Sequence, residues 1–219
     1  TRGFLEEVPD NSYVYVYYSG HGTSYVDRWG GKPRRRQGIV PWDYDGTVDT
    51  IIDGREIRKF VTPSAKKKNV RVVVMLDACF SGAALRAVPS PNGPKQHPKA
   101  VPGPHFDRPA GDLLSEFNVE LATRSIGLTL ERSDTPILTL AACQDDQTAS
   151  DTEMGRSELP VGIDPGPGGA WTFGLLCALA KLPPARRTFA ELVAEIHRWL
   201  GDVGYSQRPN LDGPAYRYA

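Results

Sequence analysis

A histidine and a cysteine follow two short apolar runs. The first run closes Tyr18-Ser19-Gly20-His21-Gly22, and the second closes Asp77-Ala78-Cys79-Phe80-Ser81-Gly82. Singly these are weak signals: a histidine after a strand is more often structural, a lone cysteine there is usually a small buried hydrophobe, and glycines mark turns. Together they make an acyl-transfer site. A free thiol ionises only near pH ~8.5, so an adjacent imidazole is what makes thiolate available at neutrality. Gly20 and Gly22 let the backbone turn sharply and come close to a ligand. The N–H groups of Gly22 and Cys79 could then point at a developing oxyanion, completing nucleophile, base and charge stabilisation in one place.

Such a site needs two adjacent strands, whose axes would lie ~4.8 Å apart. Ser12 to Tyr18 (SYVYVYY), Val70 to Leu76 (VRVVVML) and Thr135 to Ala141 (TPILTLA) read as buried parallel strands, being nearly continuous apolar runs. Gly54 to Val61 is a short amphipathic helix candidate. Trp171 to Leu182 is apolar nearly all round and is stopped by Pro183-Pro184. Thr188 to Leu200 opens with the capping-box spacing Thr188 and Glu191, and Leu192, Val193, Ile196 and Leu200 mark one face. A last short strand is predicted at Ala215 to Tyr218. This alternation predicts an α/β fold with a largely parallel sheet whose carboxyl edge carries function. Gly30 to Arg36 (GGKPRRR) reads as a loop, and the proline-dense Val88 to Pro109 as a mobile insertion or linker.

Composition narrows the function classes. The 219 residues suit one domain, and 26 basic residues balance 26 acidic ones, which points to no nucleic-acid or membrane partner. No apolar run approaches the ~20 residues of a membrane span, and the opening TRGFLEEVPD has no signal-peptide core. Three cysteines without a CxxC pair argue against a disulfide framework or thiolate zinc site and for a reducing, cytoplasmic setting. Cys143 and Cys177 read as buried and inert, and His97, His105 and His197 as solvated.

The motifs resemble the caspase clan, and in detail the metacaspases. Tyr-Tyr-Ser-Gly-His-Gly and Asp-Ala-Cys-x-Ser-Gly are similar to the family's dyad segments. Ile39 to Tyr44, Ala142 to Ala149, Gly169 to Thr172 and Ser206 to Leu211 resemble further family segments in family order across nearly the whole chain. The resemblance implies a caspase-like domain over 1–219, with 86–134 an insertion or processing linker inside it. It also implies that the first sheet strands and one acidic pocket residue are missing, so the chain should need that N-terminal part as a partner.

The activity implied is a cysteine endopeptidase acting after Arg or Lys, with Cys79 as nucleophile, His21 as base, and Gly22 and Cys79 N–H groups as oxyanion donors. Its substrates would be proteins or peptides with basic residues. Asp77 and Ser19 match pocket residues, and Asp145 or Asp146 would line another wall. The plainer reading of Asp77 is a turn residue satisfying backbone N–H groups. No cofactor is required. Calcium, bound by many metacaspases, would fall to Asp53 and Glu56, with Asp45 and Asp49 nearby, but Gly54 removes one expected ligand and Arg55 adds positive charge, so the sequence leans against it. Self-processing is a family habit, and Arg86, Lys95, Lys99, Arg124 and Arg132 are basic cut-site candidates, Arg108 being disfavoured by the proline after it.

Two other enzyme classes fit poorly. A cysteine phosphatase wants Cys-x5-Arg, and Arg86 falls one residue too late. A Gly-x-Ser-x-Gly hydrolase elbow fails because Cys79-Phe80 precedes Ser81. The alternative from another class is a catalytically silent caspase-like scaffold working through protein binding.

Overall fold

The structure, a computed structural model, describes residues 5, 7–27, 34–79, 97–101, 137–144 and 147–213. Three β-branched or aromatic runs form its centre: β1 (Tyr13–Ser19), β5 (Arg71–Asp77) and β7 (Ile137–Ala141). They lie side by side and parallel, with β10 (Asn210–Asp212) antiparallel on the far side of β7. The three predicted strands thus appear within one or two residues of their expected bounds. The last strand expected at Ala215 to Tyr218 lies outside the described residues.

Side-chain alternation along β5 divides the core. Val72, Val74 and Leu76 face α1 (Gly54–Ala65), packing against Ile57 and Val61. Val73 belongs to the opposite layer, with Leu138 and Leu140 from β7. That layer is closed by α2 (Ala170–Lys181) and α3 (Phe189–Asp202), which contribute Trp171, Phe173, Cys177, Leu192, Ile196 and Leu200. β5 and β7 are therefore covered on both faces, as continuous apolar strands require, whereas β1, expected to be buried, leaves Tyr13, Tyr15 and Tyr17 about half exposed on one face. Thr188 caps α3 by accepting the Glu191 N–H at 3.2 Å, as its sequence spacing predicts.

Two small sheets complete the described part. β2 (Gly22–Asp27), β3 (Arg34–Ile39) and β4 (Ile52–Asp53) form one antiparallel sheet. Arg34, Arg35 and Arg36 were expected in a loop and instead lie in β3, where they pair with Asp27, Val26 and Tyr25. The backbone ladder, which any side chain satisfies, overrides the loop-like composition. β6 (His97–Pro98), β8 (Ser150–Met154) and β9 (Gly166–Gly169) form the other. Residues 97–101, inside the proline-dense stretch expected to be mobile, are thus held by strand pairing; most of 86–134 lies outside the described residues.

Asp53 ends β4 and caps α1. Its carboxylate accepts from the Arg55 and Glu56 N–H groups (2.9 and 3.0 Å), the Arg55 guanidinium (2.7 Å) and the Tyr25 hydroxyl (3.1 Å). Burial works to raise the Asp53 carboxyl, but these hydrogen bonds win and hold it below the usual range. Burial, then the Asp53 charge, pushes the Tyr25 phenol up to about 12. A depressed folded-state pKa gives stability that is present above the ordinary carboxyl value and lost as pH falls through the folded one. Asp53→Ala is expected to cost about 2 kcal/mol at pH 7. In denaturant titrations the gap to the unsubstituted protein should close as the pH falls below about 4.

Candidate active site

The register of β1 on β5 decides what meets at the carboxyl edge. Ser19 pairs with Asp77, and the ladder continues one step through the Gly20 N–H to the Asp77 carbonyl at 3.1 Å. His21 and Cys79 therefore leave the sheet side by side, two residues past matched positions. Glycine is needed at position 20, where a Cβ would lie 2.6 Å from the Tyr18 hydroxyl. That hydroxyl shares its proton between the carbonyls of His21 and Val40, both at 2.8 Å, and the Val40 N–H also reaches the His21 carbonyl at 2.9 Å. The backbone carrying His21 is thereby fixed while the residue itself stays exposed.

Cys79 is fully buried. Its thiol donates to the Gln147 carbonyl at 3.4 Å, and the Cys143 thiol donates to the same oxygen at 3.5 Å. A hydrogen bond with Cys79, then burial, pushes the Cys143 thiol well up. Cys143, expected to be inert, is buried but touches the candidate nucleophile. Cys177 is buried within the layer of α2 and α3.

Asp77 ends β5 on the face that looks toward α2 and is completely buried. Its Oδ2 accepts the Thr172 N–H at 3.1 Å and the Thr172 hydroxyl, so it caps the first turn of α2, where a carboxylate suits the helix dipole. The satisfaction of backbone N–H groups expected from the plainer reading is thus present. A basic partner is present as well: Lys99 places its Nζ 3.3 Å from the same oxygen. Burial, the larger influence, raises the Asp77 carboxyl, and Lys99 and Thr172 pull it back. Asp77 Oδ1 is buried and takes no hydrogen bond among the described residues.

The Lys99 ammonium also donates to Ser19 Oγ at 2.7 Å and pairs with Asp151 at 3.1 Å. Asp77, Ser19 and Asp151 thus form the walls of one pocket around a lysine that is only 1% exposed. Its floor admits no side chain at Gly169, where a Cβ would overlap Asp77 Oδ2 and Lys99 Nζ. Sequence reading pointed to Asp145 and Asp146 for the further wall; both lie outside the described residues. It passed over Asp151, although alternation along β8 places that carboxylate level with His97.

The main chain around Lys99 completes the arrangement. The Lys99 carbonyl accepts from the Gly22 N–H at 2.9 Å and the Cys79 N–H at 3.2 Å. These are the two groups expected to converge on an oxyanion. A caspase-domain family profile matches residues 4–216. The chain belongs to the caspase-domain family. Its caspase domain is 26% identical over 210 residues to inactive metacaspase-4 of Trypanosoma brucei brucei, an alignment covering 94% of this chain and 51% of that protein. The chain thus spans about half the length of the curated relative it matches. The crystal structure of the Geobacter sulfurreducens protein GSU0716 shares the fold, with a TM-score of 0.57 at 19% identity, covering 100% of this chain and 74% of that one.

Among the positions considered for calcium, Asp53 and Asp45 are engaged by hydrogen bonds within the caspase domain. Both Asp53 oxygens are engaged by α1 and Arg55, and Glu56 projects from the exposed side of the helix. Asp45 binds the Thr47 N–H and the Thr47 and Thr50 hydroxyls, which hold its carboxyl below the usual range. Among the described residues no group of three His, Cys, Asp or Glu side chains converges, and no helix is long and apolar enough to cross a membrane.

Proposed function

We propose that this caspase domain is a cysteine endopeptidase that cuts after Lys or Arg. Cys79 attacks the peptide carbonyl carbon as thiolate, the Gly22 and Cys79 N–H groups hold the oxyanion, and His21 protonates the departing amine. Water then hydrolyses the thioester with His21 as base. The observation that carries this reading is Lys99, whose ammonium lies among Ser19, Asp77 and Asp151 while its own carbonyl sits on the Gly22 and Cys79 N–H pair. A basic side chain and its reacting carbonyl are accommodated at once, at the spacing a substrate needs. A guanidinium has a fork of donors and can reach both oxygens of a carboxylate, including Asp77 Oδ1, so Arg is expected to be favoured over Lys.

Peptide reporters ending in Arg, Lys or Asp test the reading. Hydrolysis after Arg and Lys should exceed that after Asp by at least about 100-fold in kcat/KM, because an aspartate would face two carboxylates. Calcium is not required in this scheme, and chelator should leave the rates unchanged. Equal or preferred cleavage after Asp would remove Asp77 from the pocket. A second reading, a silent scaffold in the cytoplasm acting through protein binding, draws on the trypanosome relative being named inactive. It predicts no turnover with any reporter and no selective labelling of Cys79 by an active-site thiol probe.

A further inference from the structure

Asp77 carries more donors on one of its oxygens than the helix it caps requires. Gly169 is the N-cap residue of α2 and has no side chain to offer, because a Cβ there would overlap Asp77 Oδ2 and Lys99 Nζ. Asp77 supplies the missing acceptor from β5. Its Oδ2 takes the Thr172 N–H at 3.1 Å, the bond an N-cap side chain would otherwise make. That single bond satisfies the helix. The same oxygen nevertheless takes a second donor from the same residue, the Thr172 hydroxyl, while the buried Oδ1 takes none among the described residues.

The Thr172 hydroxyl is itself directed. Its one proton goes to the carboxylate, so Tyr17 is the donor in the 2.7 Å bond between the Tyr17 hydroxyl and Thr172 Oγ1. The order of donors runs from Tyr17 on β1 through Thr172 on α2 to Asp77 on β5, and donors in series polarise one another. Tyr17 lies two residues before Ser19, on the face of β1 that also carries Tyr13 and Tyr15. Tyr13 stacks on Tyr15, with ring centroids 6.2 Å apart, and its hydroxyl meets Arg71. The Tyr17 hydroxyl instead reaches across to the first turn of α2.

From this geometry we infer that Thr172, aligned by Tyr17, is a positioning residue that sets the preference for Arg over Lys. It clamps the Asp77 carboxylate with Oδ2 committed and Oδ1 in reserve for the second donor of a guanidinium. The inference rests on the endopeptidase reading above and adds to it two residues that touch neither the scissile bond nor the nucleophile. An ammonium is a compact charge that one oxygen can meet at any rotation of the carboxylate. Lys99 is held in this way, by Asp77 Oδ2 at 3.3 Å together with Ser19 and Asp151. A guanidinium is a planar fork and gains its second bond only where both oxygens are held in one plane. Without the Thr172 hydroxyl, the N–H alone holds Oδ2 and the carboxylate is free to turn. The cost then falls on Arg more than on Lys, and on binding more than on the chemical step.

Reporters ending in Arg, Lys and norleucine, hydrolysed by the full chain and four variants, test this. Thr172→Val keeps the shape and the N–H but removes the hydroxyl. It should lower kcat/KM about tenfold for Arg and about twofold for Lys, with norleucine falling least, and the loss should lie mainly in KM. Tyr17→Phe should lower the Arg-to-Lys ratio in the same direction, by about twofold. Thr172→Ser, which keeps a hydroxyl, should retain the ratio. Because Tyr17 acts only through Thr172, the double variant Tyr17→Phe, Thr172→Val should match Thr172→Val alone. An unchanged Arg-to-Lys ratio in folded Thr172→Val, or an equal loss with all three reporters, would overturn the inference while leaving the endopeptidase standing. Losses that multiply in the double variant would overturn the relay from Tyr17. If Thr172→Val does not fold, Tyr17→Phe decides by the same ratio, since it removes only a hydroxyl from a half-exposed side chain. Absence of turnover by the unsubstituted protein with every reporter would instead remove the endopeptidase reading, and this inference with it.

Discussion

Cys79→Ala is expected to abolish peptide hydrolysis, with a fall of at least about 10³-fold in kcat for an Arg reporter. The sulfur is the only atom in the scheme that bonds to substrate carbon, and alanine leaves the Gly22 and position-79 N–H groups in place. The variant should therefore keep the geometry of the site while losing all turnover. His21→Ala should behave differently. An unassisted thiol ionises near pH ~8.5, so raising the pH restores thiolate without the imidazole. The loss in His21→Ala should shrink between pH 7 and pH 9, while the loss in Cys79→Ala stays constant across that range. A flat, equal loss in both would take His21 out of proton transfer and leave it a structural residue of the β1 turn. Cys143→Ala offers a milder comparison on the same sulfur. Its thiol shares the Gln147 carbonyl with Cys79, so removing it alters the setting of the nucleophile without removing any bond-forming atom.

The parts of this site that were legible in the sequence are those set by strand ends. Apolar runs as continuous as VRVVVML require cover on both faces, so β5 could be placed. Its register with β1 then carried Ser19, His21, Asp77 and Cys79 to one edge together. The helices were legible for similar reasons: α3 announces its start at Thr188, and α2 is apolar because it lies against the sheet. What stayed hidden depends on contacts between distant short segments. β6 has two residues and no pattern of its own; only the fit of Lys99 between Asp77 and Asp151 gives it a place. The β2–β3 pair is polar in sequence although Thr23, Ser24 and Tyr25 are buried, because backbone pairing and polar contacts hold it without an apolar run. Asp151 carried a readable signal. Counted from Cys143 it is the first acidic residue that falls on a described strand.

Asp77 joins three demands that elsewhere fall to separate residues, and Asp77→Asn should expose all of them. Its carboxylate caps α2, pairs with Lys99 and forms the pocket that a basic side chain would enter. Asparagine keeps the shape and an oxygen for the Thr172 N–H, so the cap survives in weakened form. The charge does not. Truncating one partner of a buried charged pair commonly costs about 2–5 kcal/mol, and Asp151, being partly exposed, compensates only in part. Reporter hydrolysis after Arg or Lys should fall by about 10²–10³-fold, and the unfolding free energy should drop by about 2–4 kcal/mol. These two losses have different signatures. The stability loss should be smaller in the double variant with Lys99→Gln than the two single losses added together, because the second substitution removes the ammonium that the first one strands. The activity loss should fall on basic reporters alone, lowering the ratio of Arg to norleucine hydrolysis. If that ratio is unchanged while stability falls, Asp77 is a helix cap beneath the site and the basic preference must lie with Ser19 and Asp151. If the ratio collapses, the buried carboxylate that holds Lys99 is also the one that selects the substrate, and the basic preference cannot change in this chain without disturbing the cap of α2.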